Sequence, residues 1–226
     1  GPAPGIHRFP RKNRTQPSIL EHMTQVRRIP SRADGIANRE KLLDAAESYF
    51  AQNGLDAPLS GVAEAAGVGV GTLYRNFASH DELVEALFER IDSRFATVAN
   101  AASAQQSGWR SLETFLRPSV SFLVENPATS EIIRRHADND PDNGPGARAW
   151  VDPLEGFVAQ AKAEGSARPD LTGQDLAAAP LALGSLQNFS REERTEIAAR
   201  MVTLMLDGMR AHPHAPTALP VGAHQV

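Results

Sequence analysis

Cysteine is missing from all 226 residues, which removes disulfides, thiolate metal sites and a cysteine nucleophile from consideration. Alternation of β-branched and polar residues is nearly missing as well, and alanine is plentiful, so the pattern favours an all-α fold. No uncharged apolar run approaches the roughly 20 residues of a membrane-spanning helix, and no signal peptide stands out. A cytoplasmic chain without a membrane partner is the expectation. There is no overall basic excess either: 23 lysines and arginines face 27 aspartates and glutamates, for a net charge of −4. Taken alone, that balance argues against a nucleic-acid partner. No nucleophile–base pair and no metal-ligand spacing rises above chance, so nothing in the sequence supports an enzyme, a metal site or a cofactor.

The distribution of charge points the other way. Residues 1–36 hold Arg8, Arg11, Lys12, Arg14, Arg27, Arg28 and Arg32 against only Glu21 and Asp34, whereas from residue 37 onward acids outnumber bases by nine. Rich in proline, arginine and glycine and lacking a helical period, residues 1–36 read as a flexible basic arm. Gly1-Pro2 is either native or a cloning remnant, and Met23 is an alternative start. Arg27 and Arg28, with Arg32, are candidates to lie along a DNA backbone or in a minor groove; the alternative is a solubilising tail. A basic arm before an acidic body is what a chain needs when only one end faces phosphate.

What the sequence does contain is centred on Asp56–Leu83, DAPLSGVAEAAGVGVGTLYRNFASHDEL. A short helix is expected from about Pro58 to Ala66, with Leu59, Val62, Ala63 and Ala66 at helical spacing and proline at its first position. Gly67 supplies a turn that a residue with a Cβ adopts only under strain, and Val68 plugs the gap between the helices. A second helix carries Val70, Leu73 and Phe77, leaving Thr72, Tyr74, Arg75 and Asn76 on its other faces. Two short helices around a glycine turn make a helix-turn-helix, whose second helix enters a major groove. Ahead of it, Ala37–Gln52 reads as a helix with Leu42, Leu43, Ala46, Tyr49 and Phe50 on one stripe, closed by Gly54 in a left-handed cap. Leu42, Phe50, Leu55, Leu59, Val62, Val68, Leu73 and Phe77 are the expected core of this three-helix head. Behind it, Ser79 and Glu82 form a capping box that starts a longer helix through Leu83, Leu87, Phe88, Ile91, Phe95 and Val98.

These residues carry a resemblance. AEAAGVGVGTLYRNFASHDELVEALF is similar to the DNA-binding signature of TetR-family transcriptional regulators, and the likeness extends from about Arg39 to about Ile91. Two positions depart from that pattern: Pro58 stands where a threonine is common, and His80 where a lysine usually reaches a phosphate. The resemblance implies an all-α protein with an N-terminal helix-turn-helix head at 37–80, a helical effector-binding and dimerisation body at 81–211, and a disordered tail at 212–226. It implies phosphate contacts for Thr72 and Tyr74, which fix register without reading sequence, and base-facing positions at or beside Val70, Gly71 and Arg75. Arg75 either grips guanine O6 and N7 or contacts phosphate. Ser60 is a candidate for phosphate or a base edge, and His80 for phosphate or a solvated helix start.

The body reads as further helices. They are Trp109–Val124, with Pro118 expected to kink or split it; Thr129–Ala137; Ala147–Glu164, closed by Gly165; a helix opening at Leu171-Thr172 and running to about Leu186; and Glu192–Ala211. Its C-terminal part, ARPDLTGQDLAAAPLALGSLQ and MVTLMLDGMRA, also resembles the family. That implies a homodimer through the last two long helices, whose Ala177, Ala178, Ala179, Leu181, Leu183, Leu186, Leu204, Met205 and Met209 exceed one buried seam. Phe88, Phe95, Phe115, Phe122, Trp150 and Phe157 lie on helices that the family arranges around an effector cavity. They are either walls for a small apolar or aromatic effector or plain core. DNDPDNG at Asp138–Gly144 lacks the glycine and glutamate of a calcium loop, having Asn143 and Ala149 there. GVGVG at Gly67–Gly71 follows a helix rather than a strand, against a nucleotide-binding loop. The implied function is a DNA-binding repressor released by a small molecule; the alternative keeps the DNA binding and uses the body for dimerisation or protein partners alone.

Overall fold

The computed structural model describes residues 1, 32–139, 151–184, 186, 189–212 and 218–219. Arg27, Arg28 and Trp150 lie outside them, as do most of the Asp138–Gly146 loop and most of the C-terminal tail. Two units divide the chain, residues 1–37 and 38–226. The described residues form α1 (Arg32–Asn53), α2 (Leu59–Ala65), α3 (Val70–Asn76), α4 (His80–Ser103), α5 (Gly108–Glu125), α6 (Ala128–Asn139), α7 (Asp152–Ala163), α8 (Gly173–Leu183) and α9 (Arg191–Met209). Among them there is no strand, only an isolated antiparallel bridge between Ala167 and Arg210. The fold is all-α, as the missing alternation implies.

In the second unit the head forms the expected core: Leu42, Phe50, Leu55, Leu59, Val62, Leu73 and Phe77 are buried and Val68 packs half-buried against them. Gly54, Gly67 and Gly165 all have positive φ, the conformation that glycine adopts without steric cost. α5 is the axis of the body and packs against α4, α7, α8 and α9. It begins so close to α7 that a Cβ on Gly108 would overlap the Ala161 backbone. No helix among the described residues is long and apolar enough to cross a membrane.

Several elements differ from expectation. α1 starts at Arg32 rather than Ala37; Gly35, read as part of the arm, falls in its first turn, where its entropy cost is small beside a 22-residue ladder. Pro58 is the N-cap of α2, not its first residue, because its ψ of 138° is extended. α5 passes unbroken through Pro118. That proline removes one hydrogen bond, at about 3 kcal/mol, but sits on the exposed side, while buried Phe115, Leu116, Val120 and Leu123 hold both flanks. α6 runs on to Asn139, so Asp138 and Asn139 belong to a helix.

α4 joins head and body by polar links. The Arg90 guanidinium pairs with Asp44 and reaches Glu47 at 3.6 Å and Glu40 at 3.9 Å on α1. Burial pushes the Glu47 carboxyl up, against the pull of Arg90. Arg135 on α6 reaches Asp56, between α1 and α2, at 2.7 Å. At the far end, Arg168 clamps the α7–α8 connection onto α9. Its guanidinium holds Asp170 at 2.6 and 3.0 Å, and its backbone N–H donates to the Met209 carbonyl at 2.9 Å. Arg168 and the Leu219 N–H hold the Asp170 carboxyl well below the usual carboxylate range.

Candidate nucleic-acid interface

The turn between α2 and α3 is built by local hydrogen bonding. The Val68 N–H donates to the Ala63 carbonyl and the Gly67 N–H to the Glu64 carbonyl, both at 2.9 Å. This pair of 6→1 and 5→2 bonds is the Schellman ending, which requires a left-handed residue where Gly67 has φ +64°. Leu73 and Phe77 then anchor α3, each fully buried. Arg39 of α1 lies over the Phe77 ring at 4.4 Å and donates to the Asn76 carbonyl at 3.4 Å, which pins the end of α3. Sequence reasoning misses this brace, since nothing in the spacing of α1 marks Arg39 as facing α3.

Anchoring those two side chains turns the opposite face of α3 outward. Val70 is 42% and Tyr74 52% exposed, and Gly71 and Arg75 are exposed beside them. Val70, read both as part of the inner stripe and as base-facing, thus belongs to the outer face. The Arg75 Nε donates to the Gly71 carbonyl at 3.1 Å, and Nη2 to the Thr72 hydroxyl at 3.2 Å. Arg75 therefore lies folded along its own helix and must unfold from it to reach a base edge. Ser60 is exposed on α2.

His80 is set apart from this face. As the first residue of α4, its ring is half-buried, tilts against Phe50 at 5.6 Å and donates from Nε2 to the Leu55 carbonyl at 2.7 Å. Its Nε2 thus ties α4 to the connection between α1 and α2. Half of the expected capping box forms: the Ser79 hydroxyl accepts from the Glu82 N–H at 3.1 Å, but the Glu82 carboxylate takes the Ala78 N–H at 2.6 Å in place of the Ser79 N–H.

The candidate pocket residues scatter. Phe115 is fully buried and Phe157 nearly so; Phe88 is buried with its ring stacked on His136 at 3.5 Å. His136 donates from Nδ1 to Glu85 at 2.9 Å. Among the described residues no group of three metal-ligating side chains forms. Phe95 and Phe122 are the two that share a cavity, between α4 and α5.

Residues 42–87 match the family model described as bacterial regulatory proteins, tetR family. The nucleoid occlusion factor SlmA of Glaesserella parasuis is 33% identical over 76 residues, 34% of this chain and 38% of that protein. The chain therefore spans under two fifths of the length of the curated relatives it first matches. The HTH-type transcriptional repressor KstR2 of Mycobacterium tuberculosis is 28% identical over 147 residues, 60% of this chain and 72% of that one. Among solved structures, the TetR transcriptional regulator SCO0520 from Streptomyces coelicolor superposes with a TM-score of 0.55 at 29% identity, covering 76% of this chain and 98% of that one. The KstR2 structure superposes with a TM-score of 0.60 at 19% identity, over 77% and 95%, and so speaks for the fold alone.

Proposed function

We propose, on the premise that this chain belongs to the tetR family of bacterial regulatory proteins, that it is a sequence-specific DNA-binding transcriptional regulator, a homodimeric repressor released by a small-molecule effector. The carrying observation is the outward face of α3, with Tyr74 and Arg75 exposed opposite buried Leu73 and Phe77. Thr72 and Tyr74 are the proposed phosphate contacts, with Ser60 beside them. Val70, Gly71 and Arg75 are the residues offered to base edges. The names of two relatives, a transcriptional repressor and a transcriptional regulator, support regulation and, in one case, its negative sign.

Gly71 offers a test that separates binding from folding. A Cβ there meets nothing within 4 Å, and alanine suits a helix interior better than glycine by up to about 1 kcal/mol. Gly71→Ala should therefore keep or slightly raise the melting temperature while weakening operator binding several-fold, because the added methyl stands between α3 and the groove. Unchanged affinity would move the interface off this face.

Between residues 55 and 80, Arg75 is the only lysine or arginine, against Asp56 and Glu64. The helix-turn-helix segment thus brings geometry and one guanidinium but little attraction, and the basic arm, with Arg27 and Arg28, is the proposed source of the rest. Deleting residues 1–28 should weaken binding to DNA from upstream of the protein's own gene. It should also flatten the dependence of log K on log salt by about 0.9 for each phosphate that the arm neutralises, read by fluorescence anisotropy across a salt series. An unchanged slope would make the arm a tail only.

A second reading keeps the DNA binding without a switch. The close packing of Phe88, Phe115 and Phe157 favours it, since three of the candidate pocket walls leave no room for a ligand. Thermal-shift screening separates the readings, because a ligand of the native state must raise stability.

A further inference from the structure

Between α4 and α5 lies a cavity of about 270 Å³ lined by Arg94, Phe95, Thr97, Val98, Ser119 and Phe122. Its body is apolar: Phe95 and Phe122 meet edge to face, with centroids 6.0 Å apart and planes at 81°, and Val98 packs beside them. Three polar groups border it. The Thr97 hydroxyl is occupied, donating to the Ser93 carbonyl of its own helix at 2.9 Å. The Ser119 hydroxyl is not: the residue is 1% exposed and its oxygen has no hydrogen-bond partner among the described residues. That oxygen has no accessible surface of its own, so Ser119 borders the cavity with the rest of the residue and offers no polar contact to it.

The third group is the Arg94 guanidinium, exposed and resting over the Phe122 ring at 4.9 Å. The nearby carboxylates of Glu40, Asp44 and Glu47 are engaged by Arg90, one turn earlier on α4. Among the described residues Arg94 makes no ion pair, although its charge acts on Glu47 together with that of Arg90, and its fork of donors stands at the rim of an apolar slot. A guanidinium so placed selects a planar carboxylate. The volume falls just under the roughly 300–1,000 Å³ of sites for drug-sized ligands, so the ligand is small.

We propose that this cavity is the effector site and that it takes a small amphipathic carboxylate. Arg94 holds the carboxylate, and Phe95 and Phe122 enclose a flat or aliphatic body. The proposal rests on the effector-released reading above and assigns that effector a chemical class.

The test uses the full chain with octanoate and 1-naphthoate, each beside its neutral amide, by isothermal titration calorimetry and by release of operator DNA. Each acid should bind about tenfold or more tightly than its amide, the contribution expected of a hydrogen bond to a charged group. Arg94→Gln should erase that preference and Arg94→Lys keep most of it. Equal binding of acid and amide, a preference that survives Arg94→Gln, or no binding of either acid overturns the carboxylate assignment, and release of DNA by neutral compounds would then still uphold an effector. Acids that bind through Arg94 without changing operator affinity leave the site in place and overturn its role as the switch.

Discussion

Tyr74→Ala combined with Arg75→Ala should lower operator affinity by more than about a hundredfold and leave the melting temperature almost unchanged. The low end of a bidentate base contact is about 1 kcal/mol, and a phosphate hydrogen bond adds about 0.5 kcal/mol at least. In a dimer on a pseudo-palindrome both losses occur twice, so about 3 kcal/mol is the minimum, which is just over a hundredfold. Stability is spared because both side chains stand on the exposed face. The bonds that disappear, from Arg75 to the Gly71 carbonyl and the Thr72 hydroxyl, stay within one helix. Such surface changes fall within about 0.5 kcal/mol, and alanine is a good helix former. Anisotropy titration beside a thermal melt checks both halves. Tight binding retained by a folded double variant would remove α3 from the interface.

Leu204→Arg should convert the protein to a monomer and, through that, weaken operator binding. Leu204 is 59% exposed on α9. It lies among Ile197, Met201 and Met205, which are each half-buried, at helical spacing. On α8, Ala178 is exposed and Leu181 half-buried. A two-fold interface through these helices would meet each residue twice, so one substitution places two unpaired guanidinium groups in an apolar seam. Each costs several kcal/mol once desolvated, enough to raise a dimer dissociation constant by about a thousandfold or more. Because the side chain is exposed within its own chain, the fold should survive, and sedimentation velocity reads the mass directly. Met209→Arg is the contrast: Met209 is only 8% exposed within its own chain, so this variant should lose stability rather than association. A folded Leu204→Arg dimer would place the interface elsewhere.

Leu204 and Met209 illustrate where the sequence stops being legible. Both sit on the apolar side of α9, and periodicity marks them alike; Ala179 and Leu183 on α8, read with them as surplus apolar surface, are buried within the chain too. The turns are legible because each is fixed by residues a few positions apart. Gly54, Gly67 and Gly165 end helices with the positive φ that glycine tolerates, and Ser79 caps α4 as the spacing to Glu82 requires. His80 is not, since its partner Leu55 is 25 residues away in the chain.

By itself, then, the sequence determined the all-α class, the glycine turn of the head and the face of α3 that carries Tyr74 and Arg75. Those depend on hydrogen bonds and on a 3.6-residue period that act over a few residues. Tertiary structure alone decided that Pro118 leaves α5 whole, that His80 turns inward, and that Phe95 and Phe122 border a cavity while Phe115 fills the core. A helical period states which side of a helix is apolar; only the neighbour packed against that side decides whether it is covered, shared or open.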